Sequence, residues 1–484
     1  MGEAGGFSAG RPVVLRGGAV LAMDDGGRVR QPCDVLVSGD TIAAVGPDLA
    51  VPEGTAEIDA AGGIVMPGMI DTHRHMWQTA MRGYGADWTL TQYFVWCYLE
   101  SGRHFRPEDV HAGNLLAAIE AIDAGVTTCV DWSHGLQTTG HAEAAVDALR
   151  SVPGRYVLAY GNIQQAPWEW STSPEFQAFA RRRLAGGDDM LGFQIAFDVT
   201  GDPAFPEKAA YEVARDLGVP VTTHAGVWGA TNDDGIRLAH EHGFLNESSI
   251  FVHAATLSAD SYNRIAASGG SVSVSTESEQ SAGQGYPPTW ALRAHGIPVS
   301  LSMDTSVWWS GDLFSAMRTT LGADRSREHL EAHAKGETIT HCTLRAEQVV
   351  RWATRGGARA LGRESSLGSL EPGKKADVVL IKNDASPVSF PLLNPYGHVA
   401  FQAQRGDVHT VIVNGRVVKH DHRLLGVDLP AVRRTVEATV EHLRSALGDE
   451  AWARGMYPDV PATKVLDNPY TYTEYHSGRT HGQA

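Results

Sequence analysis

Hydrophobic and polar positions change their spacing three times along the chain. Residues 12–46, PVVLRGGAVLAMDDGGRVRQPCDVLVSGDTIAAVG, alternate β-rich runs with Gly and Asp turn signals such as DDGG and SGD, the pattern of short strands joined by tight turns. The same texture returns in KKADVVLIKN and in VHTVIVNGRVVKHDH, whose Asn414-Gly415 predicts a type I′ hairpin turn. Two separated segments of like character predict one small β-sandwich domain built from both ends of the chain. Between them short β runs alternate with helical stretches, PEDVHAGNLLAAIEAIDAG being one, the sign of a parallel α/β fold. Eight strands are predicted there: IVMPGMIDTH, VTTCVDWS, RYVLAYGN, GFQIAFDV, VPVTTHAG, IFVHAA, SVSVSTES and IPVSLSMDTS. Eight such units predict a (β/α)8 TIM barrel; an open doubly wound sheet is the alternative, but no GxGxxG follows the first strand. The expected boundaries are 1–66 and 367–427 for the two parts of the sandwich, 67–366 for the barrel, and 428–484 for a C-terminal helix and tail. Pro430 opens that helix, and Val432, Val436, Val440, Leu443 and Leu447 form its apolar stripe. The aperiodic tail from Asn468 reads as a flexible end or an arm on a neighbouring subunit.

Composition narrows the function classes. The chain of 484 residues carries 40 Lys and Arg against 56 Asp and Glu, a formal net charge of −16. That balance repels nucleic acid and anionic membranes. The 4 cysteines show no CxxC spacing, which excludes a disulfide scaffold and a thiolate zinc motif. No apolar run reaches the length of a membrane span, and the N-terminus lacks the apolar core of a signal peptide. The expected setting is the cytoplasm, with a small molecule as partner.

Active sites of such barrels lie at the C-terminal ends of the strands. Strand one ends in His73-Arg74-His75, strand five in His224, strand six in His253 and strand eight in Asp304. Side-chain alternation turns His73 and His75 one way and Arg74 another, so Arg74 is expected to pair with an acidic neighbour. Imidazoles and a carboxylate at one barrel mouth form an N/O set suited to zinc or ferrous iron. On strand eight Val299, Leu301 and Met303 share the outer face, which turns Ser300, Ser302 and Asp304 inward. The same parity on strand seven turns Glu277 and Glu279 inward if the strand runs that far.

VMPGMIDTHRH, VTTHAG, FVHAA, SLSMDTS and ATRGGARALG…LGSLEPGKKADVVLI resemble the amidohydrolase superfamily. Within it they look like the aminohydrolase branch of cytosine, guanine and triazine deaminases and chlorohydrolases. The resemblance implies one divalent metal per chain, zinc with iron as the alternative, held by His73, His75, His224 and Asp304. It also implies that His253 holds the attacking water or the substrate, and that Asp304 takes and returns the proton. By analogy with the family a homodimer or larger homo-oligomer is expected. Two departures stand out. Strand four offers Gln194 and Asp198 but no lysine to bridge a second metal. The position three residues after His224, a glutamate in ring deaminases of this branch, is Val227. Glu277 or Glu279 is therefore the expected proton relay or substrate anchor. Trp77, Gln78, Trp88, His134 and Trp309 are the expected pocket residues. The reading is a metal-dependent hydrolase of a C–N bond in a small, cyclic, nitrogen-rich substrate. Dechlorination or cyclic amide or amidine opening on the same scaffold is the alternative, and a silent ligand-binding member the third.

Overall fold

In a computed structural model of the chain, the described residues are 7, 10–227 and 230–460. The tail from Asn468 lies outside them. Strands β1 (Val13–Leu21), β2 (Val29–Ser38), β3 (Thr41–Gly46), β4 (Ala56–Asp59) and β5 (Ile64–Pro67) belong to a first sheet. The barrel strands follow as β6 (Met69–Arg74), β7 (Val126–Ser133), β8 (Arg155–Tyr160), β9 (Leu191–Ala196), β10 (Val221–Ala225), β11 (Ile250–His253), β12 (Ser271–Val274) and β13 (Val299–Leu301). The first sheet is completed by β14 (Val378–Ile381), β15 (Val408–Val413), β16 (Arg416–His420) and β17 (Arg423–Leu424).

The eight barrel strands pair in sequence order and in parallel, and a parallel bridge between Arg74 and Asp304 joins the last strand's end to the first. Val272, Val274, Val299 and Leu301 pack outward in one apolar cluster with the surrounding helices. Thr72, Ser273, Ser300 and Ser302 fill the interior, their hydroxyls 2.7–2.8 Å apart. These small hydroxyl residues satisfy one another there.

Strands from both chain ends make the nine-stranded sheet, ordered β17-β16-β15-β14-β5-β1-β2-β3 with β4 beside β1. Its own apolar cluster includes Val13, Leu15, Val35, Val378 and Ile412. Asn414 and Gly415 have φ of 48° and 78°, as the hairpin turn requires. The run IVMPGMIDTH, expected as one strand, is two: IVMP pairs with β14 in the outer sheet and MIDTHR opens the barrel. Gly68 makes the handover, since a Cβ there would lie 2.0 Å from Thr127 Oγ1. Strand seven is also shorter than expected. It stops at Val274, and Thr276–Ser281 is helical. The helix Leu429–Leu447 buries Val432 and Leu443 and packs on the helix Pro107–Asp123. No helix among the described residues is long and apolar enough to cross a membrane.

Candidate metal centre and substrate cavity

The four strand ends singled out by their histidines and aspartate converge. His73, His75 and Asp304 have ligand atoms within 4.8 Å of one another, as do His73, His224 and His253. His73 belongs to both groups, so the expected set His73, His75, His224 and Asp304 spans the two. His253 shares the second group with His73 and His224, its ring centroid 5.7 Å and 5.6 Å from theirs. Asp304 Oδ1 lies 3.1 Å from His73 Nε2 and 3.3 Å from His75 Nε2, while Ser278 Oγ donates to Oδ2. The backbone bends sharply to achieve this: His253, Ala254 and Asp304 have φ of 70°, 54° and 65°, a region that costs non-glycine residues energy.

The donor chemistry itself calls for a cation. His75 Nδ1–H donates to the Trp132 carbonyl at 2.8 Å, which leaves a lone pair on Nε2. That lone pair faces the carboxylate oxygen of Asp304, and burial, which pushes the His75 imidazole down to about 4, keeps it unprotonated. His224 Nδ1–H likewise donates to Asp198 Oδ1 at 2.6 Å, turning its Nε2 inward. Two acceptors pointed at each other in a buried site repel unless a positive ion stands between them. Outer partners that fix imidazole tautomers in this way are a regular feature of metal sites. The residues therefore fit a divalent cation.

Glu279 and Glu277 part company. Glu279 is fully buried; its Oε1 accepts from the Ser275 amide at 2.8 Å and sits 3.4 Å from His253 Nδ1. It backs His253 and does not line the cavity. Glu277 points the other way, accepting from Ser315 Oγ on the helix Leu313–Ala334, because the helical turn rather than a strand sets its direction. Arg74 pairs with buried Glu120, as does Arg82, and Arg405 Nη1 reaches the same carboxylate at 3.1 Å.

A cavity of about 390 Å³ opens over the imidazoles, walled by Leu90, Tyr93, Phe94, Tyr98, Val199 and Trp308, with Asp198, Val227 and Gln284 completing it. None of the expected pocket residues lines it. Trp77 is buried and donates to His134 Nδ1 at 3.0 Å; the His134 ring lies over His75 with centroids 4.1 Å apart. Gln78 is hydrogen-bonded to Tyr93 and Thr305. Trp88 donates to the Gly455 carbonyl at 2.9 Å. Trp309 stacks on Trp308, which takes the lining position instead. Missed from sequence were Tyr93, Phe94 and Tyr98, in the run TLTQYFVWCYLE. Its density of aromatics was the available signal. The segment winds as a wide π-helical turn over Phe94–Glu100, a form often found at functional sites.

A parallel barrel with imidazoles and a carboxylate converging at its C-terminal mouth has the form of a metal-dependent hydrolase. The chain belongs to the amidohydrolase family, whose model matches residues 64–418. Among curated proteins, the 5-methylthioadenosine/S-adenosylhomocysteine deaminase of Symbiobacterium thermophilum is 30% identical over 435 residues, covering 84% of this chain and 94% of that one. The 5′-deoxyadenosine deaminase of Methanosarcina barkeri is 27% identical over 440 residues, covering 89% and 98%. Among solved structures, an atrazine chlorohydrolase from Arthrobacter aurescens TC1 complexed with zinc aligns with a TM-score of 0.78 at 22% identity, covering 88% of this chain and 100% of that one. An adenosine deaminase from Xanthomonas campestris with bound zinc aligns at 0.76 and 21% identity, covering 90% and 98%.

Proposed function

We propose that the protein hydrolyses the exocyclic amino group of an adenine nucleoside altered at its 5′ position, releasing ammonia. The observation that carries this reading is the near full-length similarity, at 30% identity, to deaminases of 5-methylthioadenosine and S-adenosylhomocysteine. The cavity supports it: aromatic side chains suit a planar base, and its volume of about 390 Å³ suits a ligand of nucleoside size. One zinc ion per chain is proposed, with His73, His75, His224 and Asp304 as its ligands. When bound, such a cation brings a water's pKa to about 7 and so supplies hydroxide at neutral pH.

The chain's own residues do the rest. Asp304 takes the water's proton and returns it to the departing amine. His253, backed by Glu279, orients the attacking oxygen through Nε2. Asp198 and the Trp132 carbonyl hold His224 and His75 in the tautomers that the site needs. Cytoplasmic location and a homodimer or larger homo-oligomer complete the proposal; a monomeric mass by light scattering at micromolar concentration would end the oligomer part. The deciding experiment is ammonia release from 5′-methylthioadenosine, 5′-deoxyadenosine and adenosine, beside cytosine, guanine and a chlorotriazine. Turnover confined to the last three would overturn the nucleoside reading.

A further inference from the structure

One buried hydroxyl ties a wall residue of the cavity to Asp304. Ser278, fully buried on the short helix Thr276–Ser281, donates through Oγ to Asp304 Oδ2. The side-chain amide of Gln284 meets the same oxygen at 3.1 Å. A hydroxyl has one proton, and a carboxylate that serves as a metal ligand is ionised and only accepts. The Ser278 proton therefore belongs to Asp304. With Oε1 of Gln284 against Ser278, two acceptors would compete for that one proton. A half-turn of the amide exchanges Oε1 and Nε2 and makes the contact an N–H donated to Ser278 Oγ. The carbonyl oxygen is then the end that faces the cavity, which Gln284 lines. Among the described residues this outer end of the amide has no protein partner, and yet it is not sealed in. The backbone fixes its place: Gly285 has φ of 132°, and a Cβ there would lie 2.8 Å from Ala255 Cβ and Thr256 Cγ2. The turn carrying Gln284 is thus pressed against the segment that follows His253.

We propose that Gln284 Oε1 accepts a hydrogen bond from the exocyclic amino group of the substrate and so selects an amine over a halide as leaving group. Ser278 is the positioning residue that sets the amide's direction. An amino group offers N–H donors. A chloro substituent offers only lone pairs, which a carbonyl oxygen repels, so the same atom attracts one substrate and disfavours the other. The reaction strengthens the contact. The water's oxygen bonds to the ring carbon, Asp304 returns the water's proton to the amine, and the C–N bond breaks with its electron pair kept by nitrogen. The amine is positively charged just before it departs, so its hydrogen bond to the carbonyl oxygen is stronger in the transition state than in the ground state. Asp304 and Gln284 meet the same hydroxyl, which puts the acceptor beside the group that delivers the proton.

The inference rests on the nucleoside reading, and its test separates the two. Zinc-loaded wild type, Gln284→Met and Ser278→Ala are compared on whichever of 5′-methylthioadenosine, 5′-deoxyadenosine and adenosine turns over fastest, and on its 6-chloro counterpart. Ammonia release reads the first compound; chloride release and the inhibition constant read the second. Gln284→Met keeps the side chain's length and removes both polar atoms. It should keep zinc content and melting temperature and lower kcat/KM for ammonia release by roughly 10–100-fold, the scale of a hydrogen bond to a charged group. The chloro compound should bind and react as well as before, or better. Ser278→Ala frees the amide to turn and should narrow the amino-over-chloro contrast by a smaller factor, which keeps the test decisive if Gln284→Met does not fold. An equal loss on both compounds, the mark of a structural role or of an amide N–H on the ring nitrogen, overturns the proposal alone. So does ammonia release at the wild-type rate in a folded, zinc-loaded Gln284→Met. A wild type inactive on all three nucleosides overturns the nucleoside reading and, with it, the amine that Gln284 is assigned to hold.

Discussion

Asp304 does two jobs at once: its backbone bridges to Arg74 and closes the barrel, and its carboxylate meets His73 and His75. Asp304→Asn preserves the shape but removes the proposed base. We expect part of the metal to remain and turnover to fall by about 10²-fold or more, the scale of a lost general base; substantial activity in that variant would remove Asp304 from the mechanism. The two glutamates after strand seven should now behave differently. Glu279→Gln loosens the support of His253 and should lower kcat by roughly 10–100-fold, as loss of an outer partner does, while Glu277→Gln should leave kcat unchanged. The reverse pattern in parallel kinetics would refute these assignments. Glu277 has a separate signature. Burial pushes its carboxyl up to about 7 from an ordinary value of 4.5. The folded state thus holds a proton that the unfolded state has released, so this group's contribution to stability falls as pH rises from about 4.5 to 7. Denaturant unfolding of Glu277→Gln should show a shallower decline across that window than wild type.

At the scale of elements, close approaches at glycine decide where the site sits. The helix Pro107–Asp123 presses against the segment after strand β6 so tightly that a Cβ on Gly113 would lie 2.1 Å from the Trp77 carbonyl oxygen. Gly113→Ala should destabilise the fold by about 1–3 kcal/mol, the usual cost of overpacking, and should lower activity by displacing Trp77. Gly322, on the helix Leu313–Ala334, has nothing within 4 Å of its Cβ position. Gly322→Ala should instead stabilise by about 0.4–1 kcal/mol through the unfolded chain's entropy. Thermal unfolding of the pair checks both, and equal effects would contradict this packing account.

For the whole molecule, the metal is the main lever. Strand four carries Gln194 and no lysine, so elemental analysis should return one tightly held zinc per chain; two would contradict the ligand set. Chelation should abolish turnover and lower the melting temperature, because a ligand that binds only the folded state stabilises it by mass action. Zinc should restore both. Loss of activity without a shift in melting temperature would mean that the imidazole cluster does not hold the ion.

The alternation of β runs and helices specified the barrel, since period-2 and period-3.6 patterns are local properties of the chain. The histidines and aspartate at four strand ends were legible for the same reason: in a parallel barrel, position along a strand already says which face of the fold it reaches. Local pattern could not say where one sheet hands over to another. IVMPGMIDTH reads as one strand, and only the close contact of Gly68 with Thr127 divides it. Nor could it stop strand seven at Val274, because the hydrogen bonds that define strand ends come from neighbours far along the chain. The direction of the groups behind the imidazoles was likewise out of reach. Glu279 reaches His253, Glu277 reaches Ser315, and the ring of Tyr98 meets that of Tyr93 across a wide helical turn. Ligand types and their strand ends were written in the order of residues. Which side chains stand behind them, and which face the substrate, depended on loops whose course is set by packing between distant parts of the chain.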